Sequence, residues 1–181
     1  IKADPVDDSG ATIYKSFTSV IGNMKNGATV DLDITLSDVQ VEVSGGDNAG
    51  LACGTMDENT SLAVNLSSSS LDVSGKSNAG VFVGKMSADA TLSIDKCDTL
   101  TSVNISANNA GGLVGSAENA EINVGEGVTL TMTGSVTGSV TAGGLFGSYT
   151  YSKANEKTFD ISKFSGMEMA LACLSLIHIS E

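Results

Sequence analysis

Tryptophan and arginine are both absent from the 181 residues, proline occurs once (Pro5), and aromatics make up only 4%. Without arginine the chain lacks the guanidinium fork that grips phosphates and carboxylates two bonds at a time. The nine cations, all lysine, face 21 carboxylates, giving a net charge of −12. Such a balance excludes the basic footprint that nucleic-acid binding requires. It also opposes an anionic membrane surface. Three cysteines, Cys53, Cys97 and Cys173, form no CxxC pair and no Cys/His cluster, so neither a zinc site nor a disulfide framework is indicated. No cofactor-binding motif is present, and no cofactor or metal is expected.

What is present is small, β-branched or turn-forming. Apolar residues reach 41% and glycine alone numbers 21. This mixture favours many short strands with frequent tight corners over helices. Residues 1–10, "IKADPVDDSG", are polar and carry no signal-peptide pattern, which suggests a mature or truncated start. The run Met167 to Ile179 is apolar but too short to span a bilayer and includes Glu168. Leu174 to Glu181, "LSLIHISE", resembles a translated transposon mosaic end used in sequencing libraries. On that resemblance, His178 is no catalytic candidate and the chain is an open reading frame cut from environmental DNA. The expected organisation is a polar segment 1–10, a repeat domain 11–166 and a non-repeat tail 167–181.

One phrase recurs: "NAGLACG" from Asn48, "NAGVFVG" from Asn78, "NAGGLVG" from Asn109 and "TAGGLFG" from Thr141. Its closing glycines are Gly54, Gly84, Gly115 and Gly147, with Gly22 in a degenerate first copy. Their spacing is 32, 30, 31 and 32 residues, the signature of a repeat array. Met24, Met56 and Met86 each follow two places later. Further on come alternating apolar pairs: Val30 and Leu32, Leu62 and Val64, Leu92 and Ile94, Ile122 and Val124, and, after a longer loop, Phe159 and Ile161. A second series runs Val41 and Val43, Leu71 and Val73, Val103 and Ile105, Leu130 and Met132.

Period-two apolarity in three stretches per repeat points to an all-β, right-handed parallel β-helix. About five coils of 30–32 residues with three short strands each are expected, stacked about 4.8 Å apart into a rod roughly 25 Å long. In this reading Asn48, Asn78 and Asn109 sit at bends in a left-handed backbone and form an amide ladder. Gly22, Gly54, Gly84, Gly115 and Gly147 make the corners. Cys53, in the slot that other copies fill with Val, Leu or Phe, is a small core residue.

At "NAGGLVG" and "TAGGLFG" the phrase resembles the glycine-rich GLUG repeat of large bacterial surface proteins, and the chain is similar to the repeat regions of adhesin-type β-helix proteins. The resemblance implies an extracellular, cell-attached setting and carries over no catalytic residue. The expected role is a fragment of an adhesive rod or stalk, with a host or neighbour-cell glycan or protein as partner. The inserted loop Ser148 to Lys157, with Tyr149 and Tyr151, is the candidate ligand contact, since insertions on a regular coil collect on one exposed face. Cut coils would leave unpaired edges and favour self-association. Two alternatives stand beside this: a structural spacer, and the non-catalytic part of a polysaccharide lyase or hydrolase.

The alternatives have little support in the residues. β-Helix lyases use Arg or Lys beside Ca²⁺-holding Asp, and hydrolases need two carboxylates at a fixed separation. Here arginine is missing and the acids are scattered over turns. "DLDITLSD" (Asp31 to Asp38) reads as a strand with a wet face rather than a Ca²⁺ loop, and the GGxGxDxUx nonapeptide is not present. The threonines of "TLTMTGSVTGSVT" (Thr129 to Thr141) are not matched in other copies, which argues against a flat ice-binding array. Sequons at Asn59, Asn65 and Asn104 matter only in a eukaryotic secretory host, and "SSSS" (Ser67 to Ser70) reads as a loop.

Overall fold

The computed structural model describes residues 15–17, 19–36, 41–44, 46–68, 70–151 and 159–173. Residues 1–10, the tail Leu174 to Glu181 with His178, and positions 152–158 of the inserted loop lie outside them.

The chain winds into a parallel β-solenoid of about four turns, close to the five expected. The first turn holds β1 (Lys15–Phe17), β2 (Ile21–Met24) and β3 (Thr29–Thr35). The second holds β4 (Val41–Ser44), β5 (Asn48–Gly50), β6 (Cys53–Met56) and β7 (Ser61–Ser67). The third repeats this with β8 (Ser70–Ser74), β9 (Asn78–Gly80), β10 (Val83–Met86) and β11 (Thr91–Cys97). In the fourth, β12 (Leu100–Gly111) runs unbroken where β8 and β9 were separate, then β13 (Val114–Glu118) and β14 (Glu121–Val124) follow. Strands β15 (Thr131–Gly143), β16 (Phe146–Thr150) and β17 (Gly166–Cys173) complete the stack. Thus the first side of the coil is one long strand or two short ones, rather than always one.

Three sheets result. The first runs β1-β4-β8-β12-β15-β17 with β5 and β9 attached; the second is β16-β13-β10-β6-β2; the third is β14-β11-β7-β3. Register explains why apolar residues recur in size. Val30, Leu62, Leu92 and Ile122 stand in one row, and Leu32, Val64, Ile94 and Val124 in the next. Met24, Met56 and Met86 stack directly, followed by Ala117 and Tyr149. In the middle coils these side chains are fully buried, each contributing roughly 1.5–3 kcal/mol.

Several details differ from expectation. Asn48, Asn78 and Asn109 lie in strands, not in left-handed bends. The left-handed corners are Gly27 (φ 77°), Asn59 (φ 56°), Asp89 (φ 57°) and Asn119 (φ 43°), between the second and third sides. Asparagine, aspartate and glycine each tolerate that conformation, so the row is not held to one residue type. Val103 and Ile105 align with Gly134 and Val136, not with Leu130 and Met132, because the β12–β15 register shifts between Leu100 and Val103. Ile161 begins a 3₁₀ turn (Ile161–Phe164) rather than a strand, started by Asp160, whose carboxylate accepts from the Ser162 backbone N–H at 3.1 Å. The boundary expected at residue 167 falls inside β17, which pairs with β15 over eight residues.

Candidate functional site

The repeated phrase builds two structural features. The first is a chain of side-chain hydrogen bonds along the axis. Asn48 Nδ2 donates to Thr55 Oγ1 (2.9 Å), Asn78 Nδ2 to Asn48 Oδ1 (2.6 Å), Asn109 Nδ2 to Asn78 Oδ1 (3.0 Å) and Thr141 Oγ1 to Asn109 Oδ1 (2.9 Å). The amides are consumed by one another. Asn78, in the middle, is buried, so its loss would strand neighbours on both sides.

The second is a seam of glycine. Gly54, Gly84, Gly115 and Gly147 are second residues of β6, β10, β13 and β16, not corners, and Gly22 holds the same place in β2. A Cβ at Gly84 would lie 2.6 Å from the Ala49 nitrogen and 2.7 Å from the Gly54 carbonyl oxygen. A Cβ at Gly50, across the seam, would lie 2.6 Å from the Val83 Cα. Two sheets therefore meet backbone to backbone, and only glycine fits. Tight approach, not turning, is why the phrase repeats.

Outward positions behave differently. On the first sheet the row reads Glu42, Asp72, Asn104, Ser135; on the second Asn23, Thr55, Lys85, Ser116, Ser148; on the third Asp33, Asn65, Lys96. Neighbours bond along the rows: Asn104 Nδ2 to Asp72 Oδ1 (2.8 Å), Ser135 Oγ to Asn104 Oδ1 (2.8 Å) and Asn65 Nδ2 to Asp33 Oδ1 (2.6 Å). Two shallow grooves follow them. One, about 290 Å³, runs past Glu42, Asp72, Asn104 and Ser135. The other, about 410 Å³, lies over Asp33, Asn65, Ser67 and Lys96, where β11 bulges between Ile94 and Lys96. That bulge shifts Lys96, rather than Asp95, into register with Asn65.

The two tyrosines part company. Tyr149 continues the methionine row inward. Its ring packs on Phe146 (4.9 Å) and Phe159 (5.6 Å), and its hydroxyl donates to the Ala120 carbonyl at 3.0 Å. Burial, with the nearby Glu121 charge, pushes its pKa up. Tyr151, by contrast, is 61% exposed. Sequence reasoning had paired them; position two after Gly147, where Met24, Met56 and Met86 sit in their own repeats, is the signal that separates them.

Cys53 is buried in register with Val83, and its thiol is pushed up to about 11, chiefly by burial. Cys97 is pushed up to about 12 by burial and then by the charge of Asp98. Cys173 is exposed. Among the described residues no three of His, Cys, Asp and Glu converge where an ion could sit. Nor, among them, is any helix long and apolar enough to cross a membrane.

Comparison with known proteins leaves the fold as the ground for any functional reading: no protein-family model, no curated protein and no solved structure matches the chain.

Proposed function

We propose that the solenoid is a display rod: a stiff stalk from an extracellular, cell-attached bacterial protein of GLUG-like repeat type, whose outer rows adhere to a host or neighbour-cell glycan or protein. The observation that carries this reading is the contrast between inside and outside. Inward rows stay largely apolar from coil to coil even where size changes, as from Met86 to Ala117, whereas outward rows change chemistry at nearly every step, as in Asp33, Asn65 and Lys96. Hydroxyls, amides and carboxylates in an open groove suit a polyhydroxylated ligand, which offers donors and acceptors at similar spacing. Tyr151 adds an exposed ring at the edge of the second sheet.

A glycan array and a panel of extracellular matrix proteins, probed with the folded chain, test the proposal. Binding is expected to fall at least tenfold in Tyr151→Ala or in the double variant Asn65→Ala/Lys96→Ala, with unchanged thermal stability. Absence of binding to every glycan and protein would favour a spacer. Release of reducing ends or unsaturated uronates from a polysaccharide would favour an enzyme.

A further inference from the structure

The corner between the second and third sides is made four times, at Gly27, Asn59, Asp89 and Asn119, and the first copy differs from the rest. In the later coils the corner is stitched to its neighbour along the axis. The Asn59 backbone N–H donates to the Ala88 carbonyl (3.3 Å), the Asp89 N–H to the Asn119 carbonyl (3.3 Å) and the Asn119 N–H to the Thr150 carbonyl (2.9 Å). Gly27 makes no such bond among the described residues, and Asn26 before it makes none either. The turn is fastened only at its ends, where the Asp57 N–H donates to the Met24 carbonyl (3.0 Å) and the Ser61 N–H to the Ala28 carbonyl (2.9 Å). Asn26 and Gly27 are both exposed, and nothing lies within 4 Å of where a Gly27 Cβ would stand.

The pair carries chemistry of its own. Of the chain's asparagines, only Asn26 precedes a glycine. In any Asn-X sequence the side-chain amide carbon is within ring-closing reach of the next backbone nitrogen. What ordinarily prevents attack is the next side chain, together with a backbone held still by hydrogen bonds. Glycine removes the first hindrance, and the gap in the stitching removes the second. Other asparagines keep at least one of them. Asn48, Asn78 and Asn109 lie in strands with their amides bonded along the axis. Asn59 precedes buried Thr60, and Asn119 precedes buried Ala120.

We infer that Asn26–Gly27 is a site of spontaneous deamidation through a cyclic imide. The Gly27 nitrogen attacks Asn26 Cγ. That C–N bond forms as the Cγ–Nδ2 bond breaks, and the amide nitrogen departs as ammonia with the Gly27 proton. Water then opens the imide. Breaking the bond at Cγ yields aspartate in an ordinary backbone, and breaking the bond at the backbone carbonyl carbon yields isoaspartate. One water is consumed, one ammonia is released, and nothing is oxidised or reduced. The product suits the fold, because Glu58 and Glu118 hold the place before the corner in the second and fourth coils. Its new charge stands beside Lys25, whose Nζ lies 3.1 Å from the Asp57 carboxylate. The inference is independent of what the outward rows bind.

Peptide mapping by mass spectrometry tests it, with the whole chain kept folded in mildly alkaline buffer or unfolded in guanidinium chloride at the same pH. Asn26 should convert first, giving isoaspartate and aspartate as two products separable by chromatography. Its rate in the folded chain should be within about threefold of the unfolded rate, because opening an unstitched corner costs little. Gly27→Asp should slow the conversion about tenfold or more, since the added side chain crowds the attacking nitrogen. That variant should keep the parent melting temperature, as Asp89 already occupies the same corner at φ 57°. An Asn26 that stays intact in the folded chain, earlier conversion at Asn59 or Asn119, or an unchanged rate in Gly27→Asp would each overturn the inference.

Discussion

Replacing Gly84 by alanine adds one methyl group where two sheets touch. That Cβ would lie 2.6 Å from the Ala49 nitrogen, 2.7 Å from the Gly54 oxygen and 2.8 Å from the Asn48 carbonyl carbon, all backbone atoms of neighbouring strands. Comfortable non-bonded carbon contacts are about 3.5–4.0 Å, so the strands must separate by roughly 0.8–1 Å or the methyl must strain. Overpacking of a rigid interior commonly costs about 1–3 kcal/mol, and here no flexible side chain can yield, so about 3 kcal/mol is expected. For a chain of this length that lowers Tm by roughly 6–12 °C. Gly22→Ala provides the control: it stands in the same row, but nothing lies within 4 Å of its Cβ, so its effect should stay within about 0.5 kcal/mol. Thermal melts followed by far-UV circular dichroism compare the two. Equal Tm values would refute the glycine seam.

Asn78→Ala removes two ladder bonds (2.6 and 3.0 Å) and takes the ladder partner from Asn48 Oδ1 and Asn109 Nδ2, so denaturant unfolding should show a loss of about 2–3 kcal/mol. Asn78→Thr should lose less, because Thr141 already ends the row through its hydroxyl. At the corner, Asp89→Gly should be neutral within about 1 kcal/mol, whereas Asp89→Val, forced to φ 57°, should cost about 1–2 kcal/mol by the same assay. The thiols carry a pH signature. Folding holds Cys53 and Cys97 protonated, with pKa values raised to about 11 and about 12 from an ordinary 9.0. Their contribution is complete below pH 9 and is lost as pH climbs through the raised values, so the unfolding midpoint should be flat from pH 7 to 9 and fall above it. A thiol reagent at pH 8 should label Cys173 quickly and the other two only on unfolding.

Much of this architecture was legible in the glycine intervals, because coils that stack in register force the chain to repeat its length and inward apolar pattern. The reason for the glycines was not legible. A recurring letter shows that one residue type is required, without showing whether backbone angle or close approach requires it. Here Gly54, Gly84 and Gly115 answer to proximity, while the left-handed corner passes from Gly27 to Asn59 to Asp89 to Asn119 and keeps no single residue type. The repeated phrase itself says nothing of Tyr149, which lies two positions beyond Gly147 and inherits the methionine row. The Lys96 bulge and the β12–β15 shift depend on one extra residue in a strand, which apolar alternation alone does not locate.

Asn23 and Ser148 stand four steps apart in one outward row of the second sheet. Spin labels at these two sites, with Cys53→Val, Cys97→Leu and Cys173→Ser removing the native thiols, report that separation by double electron–electron resonance. Coils stacked in register place the two backbones about 19 Å apart, four strand spacings, in a narrow distribution. A broad distribution, or a mean beyond about 30 Å where four strand spacings allow only about 19 Å, would contradict the stacking of the coils.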